Sequence, residues 1–403
     1  MPWVDLHDML NHAYRNHYAV GGFSAASLDC IEAIVAAAEQ ARSPVILNLA
    51  DTGPGHNDFE LVAAAAERAA QRAAVPVALH FERGATLESA VRAINRGCNG
   101  VQVAAAHESF PANVAHTRRL AELAHACGVT VEGELGRSGG EGDGTGPQAG
   151  EGTYTAVEEA KAFVQRTQVD CLAVSIGTGN GRTRGRLKLD IERLTRINDA
   201  VRIPLAIRAG NGFADEQCHK LLQHGVARVS FPSLLDAAAG ECLRANARGG
   251  FSALQYEMRA AMQAEVERGL QRLGSAGRAA EVLVQCRAWR PVEHVIVYNV
   301  EGADDIQVEA MMARGREALS RIPGVRRVFT GRAVAEQPRY RCCWLVEFVH
   351  EKVIDSYRNH PEHAAFADQL FRPIAGDRIS LDFVEAGHPT PAMAANGAAR
   401  ARA

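Results

Sequence analysis

Residues 131–140 read VEGELGRSGG, a short apolar run that carries two glutamates and ends in glycines. Three other segments have a similar residue pattern: VALHFERG at 77–84, LAVSIGTGNG at 172–181 and PLAIRAGNG at 204–212. In each, an apolar β-type run passes into glycine and polar or charged residues. That texture is typical of a buried parallel strand followed by a loop at its carboxyl end.

Runs of this kind recur through the first 280 residues and alternate with amphipathic helical stretches. Eight strand–helix repeats predict an α/β fold, a closed parallel (β/α)8 barrel of the TIM type. The glycine-rich stretch 139–152 follows the fifth strand, and we predict a mobile loop there over the catalytic face. The predicted strands span 19–24, 44–50, 76–82, 100–105, 129–134, 171–177, 204–210 and 226–232.

The composition is that of an ordinary globular protein, with 47% hydrophobic and 23% charged residues. A formal net charge of −3 gives no reason to expect a nucleic acid or an anionic membrane as partner. No apolar run approaches the roughly 20 residues of a membrane span. The nine cysteines are scattered without a C-x-x-C pair, so we expect reduced thiols, no zinc finger and a cytoplasmic protein.

The texture changes after the break at 274–277. HVIVYNV (294–300), RCCWLVEFV (341–349) and LDFVEA (381–386) look like strands, and 306–322 looks like a helix. This arrangement predicts a small ferredoxin-like α+β domain. The predicted division is a barrel at 1–280, a linker at 281–290, the small domain at 291–386 and a disordered tail at 387–403.

The order and spacing of the first four segments resemble the class II, zinc-dependent ketose-bisphosphate aldolases of the fructose- and tagatose-bisphosphate type. The resemblance implies a zinc ion held by three histidines, one from each of three segments. In this chain those positions are Arg83, Asn180 and Arg208. A guanidinium has no available lone pair and stays charged, so it cannot bind zinc. We therefore expect no metal and no cofactor.

The same resemblance assigns roles to other positions. Glu82 stands where the family has a proton-transferring aspartate, and it keeps the carboxylate. Glu132 and Glu134 are retained and are predicted to assist Glu82 in catalysis. The predicted substrate-binding residues are Arg83, Asn180, Gly181, Arg208, Asn211, Ser230 and Ser233.

Two readings of the arginines stay open. Arg83 and Arg208 could clamp a carboxylate or phosphate, or stabilise an enolate, in place of the metal. Alternatively, they form buried ion pairs with Glu82, Glu132 and Glu134 in an inactive site, because inward charges must be paired. A rebuilt metal site from His56, His80 and His107 is a third, weaker possibility, since three histidines without a motif are usually structural.

The second domain resembles the stress-responsive dimeric α/β-barrel (Dabb) family over about 292–385. The segment SYRNHPEHAAFADQLFRP (356–373) carries the resemblance through its Y-x-x-H-P-x-H pattern. In a plant polyketide cyclase of this family, a tyrosine and a histidine at the positions of Tyr357 and His363 serve an aldol-type ring closure. His294 and His360 could orient that pair. Members of the family usually pair two sheets across a dimer.

Three functions follow as hypotheses. The first is an aldolase-like carbon–carbon lyase or related enolising enzyme, independent of metal, that acts on a small anionic carbonyl substrate. The second is a non-catalytic pseudoaldolase that keeps the barrel for binding or assembly. The third places aldol-type cyclase chemistry in the small domain. A homodimer or higher homo-oligomer is expected from the habits of both families.

Overall fold

The structure, a computed structural model, describes residues 2–51, 58–84, 86–136, 154–177, 189–209, 215–246 and 250–386. Eight parallel strands close into a barrel in sequence order, β1 to β8, which confirms the predicted (β/α)8 architecture. Each predicted segment overlaps one strand. The strands are β1 Val20–Ser24, β2 Val45–Leu49, β3 Val77–Gly84, β4 Gly100–Val103, β5 Thr130–Leu135, β6 Cys171–Val174, β7 Leu205–Arg208 and β8 Val226–Phe231.

Helices surround the barrel, and several begin at side chains that cap them. Ser27 accepts a hydrogen bond from the backbone of Cys30, and Thr86 forms a capping box with Ser89. The helices are α1 Leu6–Arg15, α2 Leu28–Ala41, α3 Phe59–Arg72, α4 Leu87–Asn95, α5 Phe110–Ala126, α6 Val157–Thr167, α7 Ile191–Val201, α8 Asp215–Gln223, α9 Leu234–Ala245, α10 Phe251–Arg272 and α11 Ala279–Gln285.

The amino-terminal segment lies against the starting ends of the strands. Trp3 forms a parallel bridge with Val77, the first residue of β3. Leu6 packs so closely on Gly100 that a methyl group added there would lie 2.2 Å from its Cδ2 atom. Since this end is filled by core residues, the carboxyl ends of the strands are the face left for chemistry.

The small domain has a four-stranded antiparallel sheet in the order β10-β11-β9-β12, as the ferredoxin-like prediction requires. β10 was not predicted, because the sequence VRRVFTGR mixes arginine and glycine into an edge strand. The elements are β9 Val292–Val300, α12 Asp305–Leu319, β10 Val325–Arg332, β11 Cys342–Phe348, α13 Val353–Arg358, α14 Pro361–Phe366, a π-helical turn Ala367–Phe371 and β12 Ala375–Val384.

Polar and aromatic contacts join the small domain to the barrel helices. Arg326 of β10 bonds Glu67 of α3, and the two side chains are largely buried. Asn95, at the end of α4, accepts a hydrogen bond from the backbone of Gly324 at 2.7 Å. The ring of His350 stacks on Trp289 with 4.6 Å between centroids. The exact division at 280, 290 and 386 stays a prediction.

Two predicted segments, the loop at 139–152 and the tail at 387–403, lie outside the described residues. Within the described part of the chain, no helix is both long enough and apolar enough to cross a membrane.

Candidate active site

The barrel gathers the predicted acidic residues at one place. Glu82 lies near the end of β3. Glu132 and Glu134 are two residues apart on β5, so their side chains lie on the same face of that strand. Arg208 is the last residue of β7, and Ser230 lies near the end of β8. Glu82, Glu132, Arg208 and Ser230 are buried, and Glu134 is nearly so. Ser233, at the start of α9, is only partly buried.

Arg228 of β8 is the centre of this cluster, and the sequence analysis missed it. Its side chain is 1% exposed. One guanidinium nitrogen, Nη1, bonds the carboxylate of Glu132. The other, Nη2, lies 2.6 Å from Glu82 Oε1 and 3.0 Å from Asn48 Oδ1. One cation therefore connects two carboxylates from different strands. The alternation of side chains along a strand was a usable signal, since Ser230 was predicted to bind substrate and Arg228 lies two residues before it, on the same face of β8.

Glu82 has the better supply of hydrogen-bond donors. Besides Arg228, the Ser230 hydroxyl lies 2.8 Å from the same oxygen, Oε1. Burial by itself raises the pKa of Glu82, but the positive charges of Arg228 and Arg208 and these hydrogen bonds outweigh it. The net shift lowers the pKa of Glu82, so this side chain is an ionised carboxylate at neutral pH.

Glu132 is in the opposite situation. Burial raises its pKa, Arg228 lowers it, and the neighbouring charge of Glu82 raises it again. The net shift is upward, because one guanidinium cannot fully compensate two buried carboxylates. The two acids therefore have pKa values that are pushed apart, which is the pattern of an acid–base pair.

Arg208 forms longer contacts with two other polar side chains. Its Nη2 atom lies 3.1 Å from Gln102 Oε1 and 3.5 Å from Glu134 Oε2. Gln102 also donates to Glu134 at 3.1 Å. The Glu134–Arg208 pair is thus of the kind that the ion-pair reading of the arginines expected. Glu82, in contrast, pairs with Arg228.

Arg83 occupies an unusual backbone position. Its φ angle is +57°, in the left-handed region that non-glycine residues rarely adopt, and the β3–β4 register shifts between Phe81 and Gly84. Such strain at a strand end is often found at functional sites. Its side chain is partly buried. Asn180, Gly181 and Asn211 lie outside the described residues, so their predicted roles stay predictions.

Two of the three histidines considered for a rebuilt metal site, His80 and His107, lie in the described part of the chain. His80 is buried, with Nδ1 3.2 Å from Nη2 of Arg228, and burial together with the two arginine charges lowers its pKa well below the usual value. His107 is exposed beyond β4, and His56 lies outside the described residues. Among described residues, no group of three or more histidine, cysteine, aspartate or glutamate side chains could hold a metal ion.

The small domain contains a cavity of about 330 Å³ between its sheet and its helices. Trp344, Val346 and Phe348 of β11 are among its apolar lining residues. Its polar lining residues include Arg358, Arg372, Arg378, Ser380 and the four discussed next: His294, Tyr357, His363 and Asp382.

The structure brings Tyr357 and His363 together as predicted, with ring centroids 4.3 Å apart. Burial raises the pKa of Tyr357 and lowers the pKa of His363. His294 also faces the cavity, and its Nδ1 atom lies 2.7 Å from Asp382 Oδ1 on the paired strand β12. Asp382 was not predicted, since only the strand register places it opposite His294.

A closed (β/α)8 barrel with carboxylates and arginines near the carboxyl ends of its strands places this chain among TIM-barrel proteins with a charged central site. The sequence profile described as "Fructose-bisphosphate aldolase class-II" matches residues 4–278. The chain belongs to that family. A second profile, "Stress Responsive A/B Barrel Domain", matches residues 292–385.

Several relatives align with the barrel. "Fructose-bisphosphate aldolase" of Geobacillus stearothermophilus is 36% identical over 234 residues, 57% of this chain and 80% of the relative. "6-phospho-5-dehydro-2-deoxy-D-gluconate aldolase" of Shouchella clausii is 30% identical over 288 residues, 70% and 97% of the two chains. The crystal structure of the YdjI aldolase from Escherichia coli superposes with a TM-score of 0.63 at 29% identity, covering 69% of this chain and 99% of that one.

Arg83 and Arg208, which the family resemblance places at two of the three zinc positions, cannot bind zinc. Arg208 is a buried guanidinium already bonded to Gln102 and Glu134, and a guanidinium offers no lone pair to a metal. Arg83 is excluded by the same chemistry. The assignment of Arg83, Asn180 and Arg208 to the three histidine positions remains a prediction.

Arg228→Met should destabilise the protein by about 3–5 kcal/mol, because it leaves two buried carboxylates without their cation. Without the cation, burial raises the folded-state pKa of both acids above their unfolded values. The loss should therefore be smallest at acidic pH and should grow as the pH rises through the unfolded values. Urea unfolding across pH measures it. Arg268→Met, at an exposed ion pair, is the control and should cost at most about 1 kcal/mol.

Proposed function

We propose that the barrel is an aldolase-like carbon–carbon lyase, or a related enolising enzyme, that acts on a small phosphorylated or carboxylated carbonyl compound without a metal ion. The observation that carries this proposal is the ionised Glu82 near the end of β3, held by Arg228 and Ser230. A fixed carboxylate at this face of a barrel suits proton abstraction next to a carbonyl group. Membership of the aldolase family supports the same chemistry.

Glu82 is the proposed proton-transfer group, with Glu132 or Glu134 assisting. Arg208 and Arg83 are proposed to hold the anionic group or the enolate, the part that a metal ion would otherwise play. Arg208 can do so because its contact with Glu134 is long, at 3.5 Å, and a bidentate carboxylate or phosphate is a stronger partner. Ser230 and Ser233, with Asn180, Gly181 and Asn211, complete the proposed substrate contacts.

The proposed lyase predicts that Glu82→Gln lowers kcat by about 10²-fold or more, since the amide cannot accept a proton. Arg208→Ala should mainly raise KM for anionic substrates. Cleavage of fructose 1,6-bisphosphate and of 6-phospho-5-dehydro-2-deoxygluconate, assayed with and without a chelator, measures both effects. Glu67→Gln, at the interface with the small domain, is the matched control. Unchanged turnover in both site variants, or activity abolished by the chelator, contradicts the proposal.

The pseudoaldolase remains a second candidate, and the Glu134–Arg208 pair favours it. If ion pairs only fill the mouth of the barrel, then the wild-type protein should turn over neither substrate. It should also bind inorganic phosphate no better than Arg208→Ala does. Phosphate binding that depends on Arg208 would argue for a working anion site.

The small-domain cavity supports a third candidate, aldol-type chemistry outside the barrel. The supporting observation is the His294–Asp382 pair, because a carboxylate at Nδ1 fixes the tautomer and leaves Nε2 as a potential base. Tyr357 and His363 lie beside it, with His294 and Tyr357 rings 6.1 Å apart. The arginines of the lining suit a carbonyl ligand that also carries an acid group.

This third candidate predicts that His294→Ala and His363→Ala each lower turnover of a carboxylated carbonyl compound by about 10²-fold. The sequence analysis considered His360 as a residue that orients the pair, but it caps α14 and is not among the lining residues of the cavity. His360→Asn, which keeps the cap, is therefore the control. Activity that is lost in Glu82→Gln but kept in both histidine variants would remove this candidate.

We also propose that the chain forms a homodimer through the outer face of the small-domain sheet. On β12, Ile379, Leu381 and Phe383 are 40–52% exposed and alternate with the residues that face the cavity. A contiguous apolar face of this kind is typical of an interaction surface. A second copy offers the same face, which is the requirement of a symmetric dimer.

Leu381→Arg should therefore convert the protein to a monomer in sedimentation experiments, because it places a charge at the centre of the proposed interface. Val334→Arg, at a fully exposed site of the same domain, is the control and should leave the dimer intact. A wild-type monomer, or a dimer that survives Leu381→Arg, would exclude this interface.

A further inference from the structure

At the buried centre of the barrel, two carboxylates share one guanidinium group. Glu82, Glu132 and Arg228 are all buried, and both carboxylates bond the same guanidinium. Arg208 is the next cation, and its hydrogen bonds go to Gln102 and Glu134. Two ionised carboxylates on one guanidinium would leave a buried negative charge that this guanidinium does not compensate, which is strongly unfavourable.

His80 does not supply the missing positive charge. Arg228 can only donate, so Nδ1 of His80 must accept, and the proton of a neutral ring then sits on Nε2. Nε2 is buried without a hydrogen-bond partner among the described residues. A second proton on this ring would be placed directly against a guanidinium, so His80 stays neutral.

The hydrogen bonds distinguish the two carboxylates. Asn48 donates through Nδ2 to the Ser230 hydroxyl at 3.1 Å, so the single hydroxyl hydrogen is left to point at Glu82. Glu82 Oε1 thus receives donors from Ser230 and from Arg228. Glu132 has Arg228 alone among the described side chains. The negative charge is better stabilised on Glu82.

We propose that Arg228 is a positioning residue that holds Glu82 and Glu132 as a pair with one proton between them. Glu82 is the carboxylate, and Glu132 is the carboxylic acid at neutral pH. The proton count stands on the contacts alone, whereas its use as a resident acid beside the base Glu82 rests on the proposed lyase function.

The surroundings of Glu132 agree with this assignment. The titratable and charged groups that face it are Arg228 on β8, Glu82 and His80 on β3, Arg208 on β7 and Cys171, its paired neighbour on β6. Burial raises the pKa of the Cys171 thiol well above its usual value, so this group carries no charge. The upward shift in the pKa of Glu132 follows from burial and from Glu82.

Infrared spectroscopy of the full chain, with its glutamate carboxyl groups labelled with carbon-13, tests the proposal at neutral pH. The wild-type protein should show the carbonyl band of one protonated glutamate per chain. The band should vanish in Glu132→Gln, which removes the acid. It should also vanish in Glu82→Gln, because Glu132 then has Arg228 to itself and ionises.

Two further variants keep the test decisive. Ser230→Ala, a mild change, should keep the band but shift its frequency, because Glu82 loses the donor that separates it from Glu132. Glu67→Gln removes a largely buried carboxylate elsewhere and should leave the band unchanged. A spectrum without the band in the wild-type protein, or a band that persists in either Glu82→Gln or Glu132→Gln, overturns the proposal.

The kinetic measurement separates this inference from the lyase proposal. If wild type cleaves either sugar phosphate, then Ser230→Ala should shift the acid limb of its kcat–pH profile to higher pH, since Glu82 becomes easier to protonate. If the band behaves as described but no substrate turns over, the shared proton stands and the lyase proposal fails. An unshifted limb in an active Ser230→Ala protein contradicts the role of the Ser230 hydrogen bond in keeping the negative charge on Glu82.

Discussion

The guanidinium of Arg228 is sealed inside the barrel, and its charge has to be matched there. Carboxylates from β3 and β5 and an amide from β2 reach it, so one side chain joins four strands across the centre. Such a network is costly to bury, and it is stable only because each member has a partner. The ionisation of Glu82 depends on it, and Arg228 opposes the upward shift in the pKa of Glu132 that burial and Glu82 cause.

This arrangement gives an aldolase-family barrel an internal cation of its own. In a metal-dependent relative, a divalent ion would dominate the electrostatics of the site. Here the described positive charges are arginines, which cannot change coordination and cannot lose their charge. They can bind anions and stabilise negative charge in fixed directions. These arginines suit chemistry on an anionic carbonyl compound. Such chemistry also needs a base that is already ionised.

The two domains offer two sites of different character. The barrel site is polar and charged, whereas the small-domain cavity has apolar walls with the His294–Asp382 pair and arginines among its lining residues. The domains are connected by the buried Arg326–Glu67 contact and by the stacking of His350 on Trp289. The chain therefore combines a family barrel with a second chemical environment, and variants in either site can be compared within one protein.

The sequence by itself determined the barrel, because eight apolar runs separated by helical patterns have few other ways to bury their strands. It also placed Glu82, Glu132 and Arg208 at one end, since strand ends in a parallel barrel meet there. The alternation of side chains along β8 could have predicted that Arg228 lies on the same face as Ser230. The sequence did not predict β10, because arginines interrupt the apolar pattern of this edge strand. Only the tertiary structure decided that Glu82 pairs with Arg228 and that Asp382 meets His294. The side chains that meet across a barrel or a sheet are determined by strand register and by competition among buried charges. Neither can be predicted from the local sequence.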